Sequence, residues 1–246
     1  MADALLLVHA FPLDARMWEP QVAAFAGSVP VLAPHLPGFG GTEPADDVMT
    51  MGAAAERLRA ELDRAGVDRA VVCGLSMGGY VALELWRRDR DRISGLILAN
   101  TRAVPDGPDG VAARRALAER LRAEGIGFLV EAPPPLLSPS APPELWAKVR
   151  KLIADQDPDA VAAASLGMAE RPDSTPDLPT IDVPTLVITS TEDHLIPPEV
   201  TAPMASAIPG AALEVIEGAG HLSNLEAPEE FNRLLREHLE RCGLTG

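Results

Sequence analysis

Short apolar runs alternate along the chain with longer segments whose apolar positions recur at helical spacing. That alternation is the pattern of βαβ units and a mostly parallel sheet. Strands are expected at Ala4–His9, Val29–Ala33, Arg69–Cys73, Ser94–Ala99, Thr185–Thr189 and Ala212–Ile216. Unbroken runs such as Leu5-Leu6-Leu7-Val8 imply burial on both faces, as where helices cover a sheet. Thr50 is placed to cap a helix over Met51–Ala65, and Gly66 to end it. A helix over Met77–Arg88 opens directly after a strand and a glycine-bracketed turn. Pro228 suits the first position of a C-terminal helix, with Glu229 and Glu230 where the helix dipole favours carboxylates.

Between Arg102 and Asp182 the strand–helix rhythm breaks. Proline-rich joints (Pro133-Pro134-Pro135, Pro142-Pro143, Pro172, Pro176, Pro179) separate helical pieces near Gly110–Ala123, Glu144–Ala154 and Pro158–Met168. The expected organisation is one α/β core domain, residues 1–101 and 183–246, interrupted by a helical insertion over 102–182. A chain of 246 residues is long enough for that and too short for two complete domains.

Composition narrows the partners. A net charge of −15 repels phosphate backbones and anionic lipid surfaces, so neither nucleic acid nor membrane is an expected partner. Cys73 and Cys242 are too few for a disulfide framework and suit a reducing compartment. The Ala4–Val8 run lacks the basic flank and cleavage site of a signal peptide, and no apolar stretch is long enough to span a bilayer. A cytoplasmic monomer or homodimer is the expectation. The histidines lack the i, i+4 spacing or carboxylate partner of a zinc site, so neither metal nor cofactor is expected.

The chemistry concentrates in Gly74-Leu75-Ser76-Met77-Gly78-Gly79, between an expected strand and an expected helix. In that setting G-x-S-x-G is a nucleophile elbow. The backbone turns so sharply that side chains two residues either side of Ser76 would collide, which explains glycine at 74 and 78. A serine hydroxyl becomes an effective nucleophile only when a base removes its proton, and the base needs an orienting acid. Asp193 follows the strand Thr185–Thr189, and His221 follows the strand Ala212–Ile216 in Gly218-Ala219-Gly220-His221. Both side chains therefore belong at the same edge of the sheet as Ser76, where open α/β sheets place their sites. Glu192 neighbours Asp193 and is the alternative acid, whereas Asp182 precedes its strand and sits at the wrong end.

With these residues assembled, the chain resembles the cap-bearing α/β-hydrolases of the esterase, enol-lactonase and cofactor-free perhydrolase group. The resemblance runs nearly end to end, through Leu7-Val8-His9-Ala10-Phe11-Pro12, Leu36-Pro37-Gly38-Phe39-Gly40, the elbow, Asp193 and His221. It implies an α/β-hydrolase fold, a mostly parallel sheet flanked by helices and carrying a helical cap; many relatives have two further strands before the first one here, so a sheet of about six strands is expected. It also implies that Ser76 attacks, that His221 acts as base and then acid, and that Asp193 fixes the imidazole tautomer. The resemblance places the oxyanion hole at the backbone N–H groups of Phe11 and Met77, and implies a small carboxylic ester or lactone as substrate, cleaved through an acyl-enzyme. Perhydrolase, cofactor-free haloperoxidase and thioesterase chemistry use the same triad. Non-catalytic ligand binding and non-hydrolytic biosynthetic chemistry on this fold remain the alternatives of another class.

Three departures from the family pattern have structural consequences. Only three residues precede Ala4, so Val29–Ala33, bracketed by Pro30 and Pro34, is expected at an exposed edge. Ala10 stands where glycine is common and requires a negative φ. His35 replaces a common aspartate and is expected to substitute for it structurally. His9 is expected to support the oxyanion loop, His194 to lie on a surface loop and His238 to be solvated.

The cap supplies the expected pocket wall: Phe128, Trp146 and Met168, with Leu136 and Leu137, and with Phe39, Met77 and Trp18 from the core. Arg102, just past the fourth strand, is a candidate for a substrate carboxylate, although a salt-bridged role is the commoner one for arginine.

Overall fold

All five residues of the first strand, β1 (Ala4–Val8), are buried, as its unbroken apolar run requires. The computed structural model describes residues 3–244. In chain order β1 is followed by α1 (Glu19–Phe25), β2 (Val31–Leu32), α2 (Met51–Ala65), β3 (Ala70–Leu75), α3 (Met77–Asp89) and β4 (Ile93–Ala99). Four helices then intervene: α4 (Pro108–Glu124), α5 (Gly127–Glu131), α6 (Pro143–Ala154) and α7 (Pro158–Ala169). The alternation resumes with β5 (Thr185–Ser190), α8 (Pro198–Thr201), α9 (Pro203–Ala207), β6 (Ala212–Ile216), α10 (Ser223–Glu226) and α11 (Pro228–Arg241).

The six strands form one sheet in the order β2-β1-β3-β4-β5-β6, and every pair is parallel. All their carboxyl ends therefore face one way. The register sets Val8 against Gly74 and Leu75 against Ala99, which brings the β1, β3 and β4 exits side by side. The central helix α3 is buried from Met77 through Trp86. Its one buried acid in that stretch, Glu84, is neutralised by Arg87 and Arg88 a turn further on.

Local signals placed the caps well. The Thr50 hydroxyl accepts from the Ala53 N–H, and Gly66 ends α2 at φ +66. Differences arise at the margins of the sheet. The strand expected over Val29–Ala33 is ordered as a ladder only at Val31 and Leu32, flanked by two prolines that cannot donate. β3 runs on to Leu75, because Gly74 and Leu75 still pair with Leu98 and Ala99. The opposite edge is β6, where Leu213 and Val215 are exposed and only Ile216 is buried.

His238 departs from its expected solvated position, being 1% exposed. It lies one helical turn from Leu234 and Leu235 and so shares the apolar face of α11. Neither ring nitrogen makes a hydrogen bond with good geometry. Burial lowers its pKa to about 4, with Arg241 adding to the shift and the Pro184 and Leu96 carbonyls opposing it.

The segment between β4 and β5 is tied by polar contacts to the stretches that follow β1 and β6. Gln156 Nε2 donates to Asp14 Oδ2 at 2.7 Å, and Arg16 pairs with Asp155 at 2.8 Å. On the other side the Leu222 N–H donates to the Leu136 carbonyl at 2.8 Å. Glu226 accepts from the N–H groups of Gly220 and Ser138 and from the Ser138 hydroxyl. The segment Leu136–Ser138 is thus tied directly to the loop that carries His221.

Candidate active site

Ser76 sits between β3 and α3 at φ 57 and ψ −117, a left-handed conformation that non-glycine residues rarely adopt. The surrounding backbone enforces it. The Ser76 N–H donates to the Ala99 carbonyl at 3.0 Å, and the Thr101 hydroxyl donates to the Ser76 carbonyl at 2.7 Å. A Cβ at Gly74 would lie 2.2 Å from the Gly78 carbonyl oxygen, and one at Gly78 would lie 2.1 Å from the Val8 oxygen. The turn is this tight only because both positions are glycine.

Asp193, just beyond β5, is 1% exposed and fully hydrogen-bonded. Its Oδ1 accepts from the N–H groups of Leu195 and Ile196, each at 2.9 Å. Its Oδ2 accepts from Asn100 Nδ2 at 2.9 Å and lies 2.8 Å from His221 Nδ1. Burial alone would push this carboxyl up, but the hydrogen bonds and the charge of His221 outweigh it and hold the group below the usual carboxylate range. The Ser190 hydroxyl accepts from Asn100 Nδ2 at 2.7 Å and donates to the Gly220 carbonyl at 2.6 Å. Asn100, Ser190 and Asp193 thereby link the ends of β4 and β5 to the loop after β6.

Ser76 and His221 line one cavity of about 220 Å³, together with Phe11, Tyr80, Arg102, Arg114, Leu117, Pro134, Leu136, Met168, Leu195 and Ile196. No hydrogen bond joins Ser76 Oγ to the His221 ring; such contacts commonly tighten only with substrate present. Among the described residues, neither the Phe11 N–H nor the Met77 N–H has a hydrogen-bond acceptor. A larger hollow of about 1130 Å³ lies elsewhere, beside Asp46, Asp47, Asp155, Asp157 and Asp159. It holds none of the serine, histidine or acid just described, so size does not identify the reactive site here.

Of the expected pocket-wall residues, Met168, Leu136 and Arg102 line the Ser76 cavity. Leu137 and Met77 are buried and do not line it, and the four aromatic residues lie elsewhere for identifiable reasons. Trp18 is fully buried against Phe231, with ring centroids 5.9 Å apart, and belongs to the core beneath α11. Phe39 is equally buried and meets the His9 ring edge-on at 5.1 Å. Phe128 and Trp146 are half-buried on the insertion, covered by the guanidinium groups of Arg120 and Arg150.

The remaining histidines have structural surroundings. His9 Nε2 accepts from the Leu36 N–H at 3.0 Å, Nδ1 faces the Ala10 carbonyl, and burial lowers its pKa to about 4. His35 Nδ1 accepts from the Ala15 N–H at 3.3 Å, and its ring fills the space a Cβ at Gly40 would need. His194 is exposed, 3.7 Å from Glu192. Ala10 keeps a negative φ, as its methyl group requires.

Tyr80, Arg114, Leu117, Leu195 and Ile196 are cavity residues that the sequence reading missed. Tyr80 carried a usable signal, since it lies one helical turn beyond Ser76. Leu195 and Ile196 directly follow Asp193. Arg114 carried none, because its place depends on how α4 packs.

Among the described residues, no cluster of three or more His, Cys, Asp or Glu side chains is placed to hold a metal ion. No helix among them is long and apolar enough to cross a membrane.

A family model described as Alpha/beta hydrolase family matches residues 5–234. The chain is 30% identical to 3-oxoadipate enol-lactonase 1 of Acinetobacter baylyi, over 94% of this chain and 86% of that protein. It is also 30% identical to the pimeloyl-(acyl-carrier protein) methyl ester esterase of Neisseria meningitidis, over 98% and 96% of the two chains. Among solved structures, a thermophilic esterase from Thermogutta terrifontis with malate bound superposes with a TM-score of 0.95. That esterase is 44% identical, with 98% of this chain and 91% of the other covered.

Proposed function

The chain belongs to the alpha/beta hydrolase family, and from that premise we propose that it is a serine hydrolase that cleaves a small carboxylic ester or lactone through an acyl-enzyme. The observation that carries the proposal is the buried His221–Asp193 pair, 2.8 Å apart, opening onto the cavity that holds Ser76. The esterase and enol-lactonase names of the relatives point the same way.

In the proposed cycle, His221 Nε2 takes the Ser76 hydroxyl proton as Oγ attacks the carbonyl carbon. Asp193 holds the proton on Nδ1, so that Nε2 is free to act as base, and stabilises the imidazolium that forms. Oxygen charge developing on the tetrahedral intermediate is met by the Phe11 and Met77 N–H groups. Two preorganised donors of this kind usually make the largest electrostatic contribution. His221 then returns its proton to the departing alkoxide, leaving Ser76 acylated. A water activated by the same ring attacks the acyl carbon and frees Ser76. Residues 102–182 act in this reading as the cap of a core formed by 1–101 and 183–246, and Met168 is one of its substrate contacts. A volume of about 220 Å³ lies below the usual range for ligand pockets, about 300–1,000 Å³, which restricts the substrate to a small one.

The test is labelling with a fluorophosphonate, followed by assays on short acyl esters and lactones. Wild-type protein should be labelled and the Ser76→Ala variant should not. An unlabelled wild type that turns over no ester would overturn the proposal, and labelling that survives Ser76→Ala would move the nucleophile elsewhere.

A further inference from the structure

Three arginines converge on one carboxylate beside the Ser76 cavity. Asp106 Oδ2 accepts from Arg171 at 2.8 Å and from Arg114 Nε at 2.6 Å, while Oδ1 accepts from Arg102. Arg171 is the structural partner. Its side chain is 3% exposed and stacks 4.2 Å over the Tyr80 ring. It also donates to the carbonyls of Met168 and Val104. One carboxylate is balanced by that one guanidinium. Arg102 and Arg114 are then surplus positive charge, because one carboxylate offsets only part of the mutual repulsion of three guanidinium groups.

Both surplus arginines line the cavity that contains Ser76 and His221, and no carboxylate lines it with them. Arg114 uses only its Nε on Asp106; among the described residues its two terminal nitrogens have no acceptor. Arg102 Nε is buried without any partner. Glu84, which lines a small neighbouring hollow with Arg102 and Arg171, is already paired with Arg87 and Arg88. Partly buried cations with unused donors are costly unless something negative completes them. Apart from Ser76, His221 and Tyr80 the rest of the wall is apolar, with Leu117, Leu136, Met168 and Ile196 suited to a methylene chain.

We propose that Arg102 and Arg114 form an anion-binding pole of this cavity, so that the substrate is a short ester or lactone whose acyl part carries a carboxylate. The inference deepens the serine-hydrolase reading and rests on it. Guanidinium groups recognise carboxylates through paired N–H donors; the two unused terminal nitrogens of Arg114 supply such a pair, with the positive charge of Arg102 beside them.

The test compares monomethyl glutarate with its primary amide, which has the same shape and no charge. Wild-type kcat/KM should favour the carboxylate by at least about tenfold, equivalent to about 1.4 kcal/mol, with most of the difference in KM. Arg114→Gln and Arg102→Gln should each bring the ratio towards one. Arg120→Gln, which removes a charge from the same helix outside the cavity, should preserve it. A wild-type ratio of one or less overturns the anion pole without needing any variant, as does a preference that survives both substitutions. Calorimetric titration of the Ser76→Ala protein with the same two compounds separates this inference from the reading beneath it. Selective binding of the carboxylate, with no turnover by wild type, would sink ester hydrolysis and leave the anion pole standing. Equal turnover of both compounds would do the reverse, and binding of neither would remove the pole as well.

Discussion

Asn100 Nδ2 donates to Asp193 Oδ2 at 2.9 Å, on the same oxygen that faces His221 Nδ1. Asn100 directly follows β4 at φ 45, one of two non-glycine residues at positive φ among those described; Ser76 is the other. Its side chain also donates to Ser190 and accepts from the Ser223 hydroxyl at 2.6 Å. The backbone departs from ordinary geometry here so that one amide can hold the carboxylate in position.

Asn100→Gly keeps the left-handed backbone available and removes only the amide. Hydrogen bonds to charged groups contribute about 1.5–3 kcal/mol. Esterase kcat should therefore fall by about ten- to a hundredfold, with KM changed far less. Unaltered kcat would show that Asp193 does not depend on Asn100.

Asp193→Asn preserves the shape but presents an amide to His221, which favours the wrong tautomer. A loss of about ten-thousandfold in kcat is expected from the equivalent change in such triads. Residual activity within tenfold of wild type would point to Glu192 as the acid instead.

Gly78→Ala opposes two local effects. Helix propensity alone favours alanine by about 1 kcal/mol, but the new Cβ would meet the Val8 carbonyl oxygen at 2.1 Å. Because backbone rather than a flexible side chain is struck, the clash should win. Urea denaturation should show a loss of about 2 kcal/mol or more. At Gly127, where a Cβ would meet nothing within 4 Å, alanine should instead add up to about 1 kcal/mol.

The buried His238 makes stability depend on pH. Its folded pKa is about 4, against 6.5 for the free side chain. Above 6.5 both states are neutral there and the group contributes no pH dependence. As pH falls from 6.5 towards 4, the unfolded chain binds a proton that the folded chain refuses, so stability falls by about 3 kcal/mol and then levels off. Burial lowers the pKa of His9 similarly, and it acts over the same window. His238→Leu should remove about half of this acid sensitivity in thermal melts between pH 7 and 4. An unchanged slope would mean that the ring is protonated without penalty.

Much of the sheet and the elbow was legible beforehand, and the reasons are local. A five-residue apolar run such as β1 can be satisfied only by covering both faces, and Gly74 and Gly78 announce a turn that no other residue fits. The cavity wall was less legible. Trp18 and Phe39 pack in the core while Leu117 and Met168 line the cavity, although all four are apolar residues of similar local appearance. His238 was misjudged because one turn of helix decides between solvent and core, and the answer lies in what α11 packs against.

Hydrophobic periodicity and backbone sterics act over a few residues. By themselves they determined the strand–helix alternation, the turn that presents Ser76, and the chain order of Ser76, Asp193 and His221. Tertiary packing alone decided which side chains share a cavity. It joined Asp106 to Arg171, 65 residues away, and set Arg102 and Arg114 beside Ser76. Those neighbours meet because α4 packs against α7 and this pair borders the cavity of Ser76, and the charge each one experiences there is set by burial and partners that no local stretch of sequence contains.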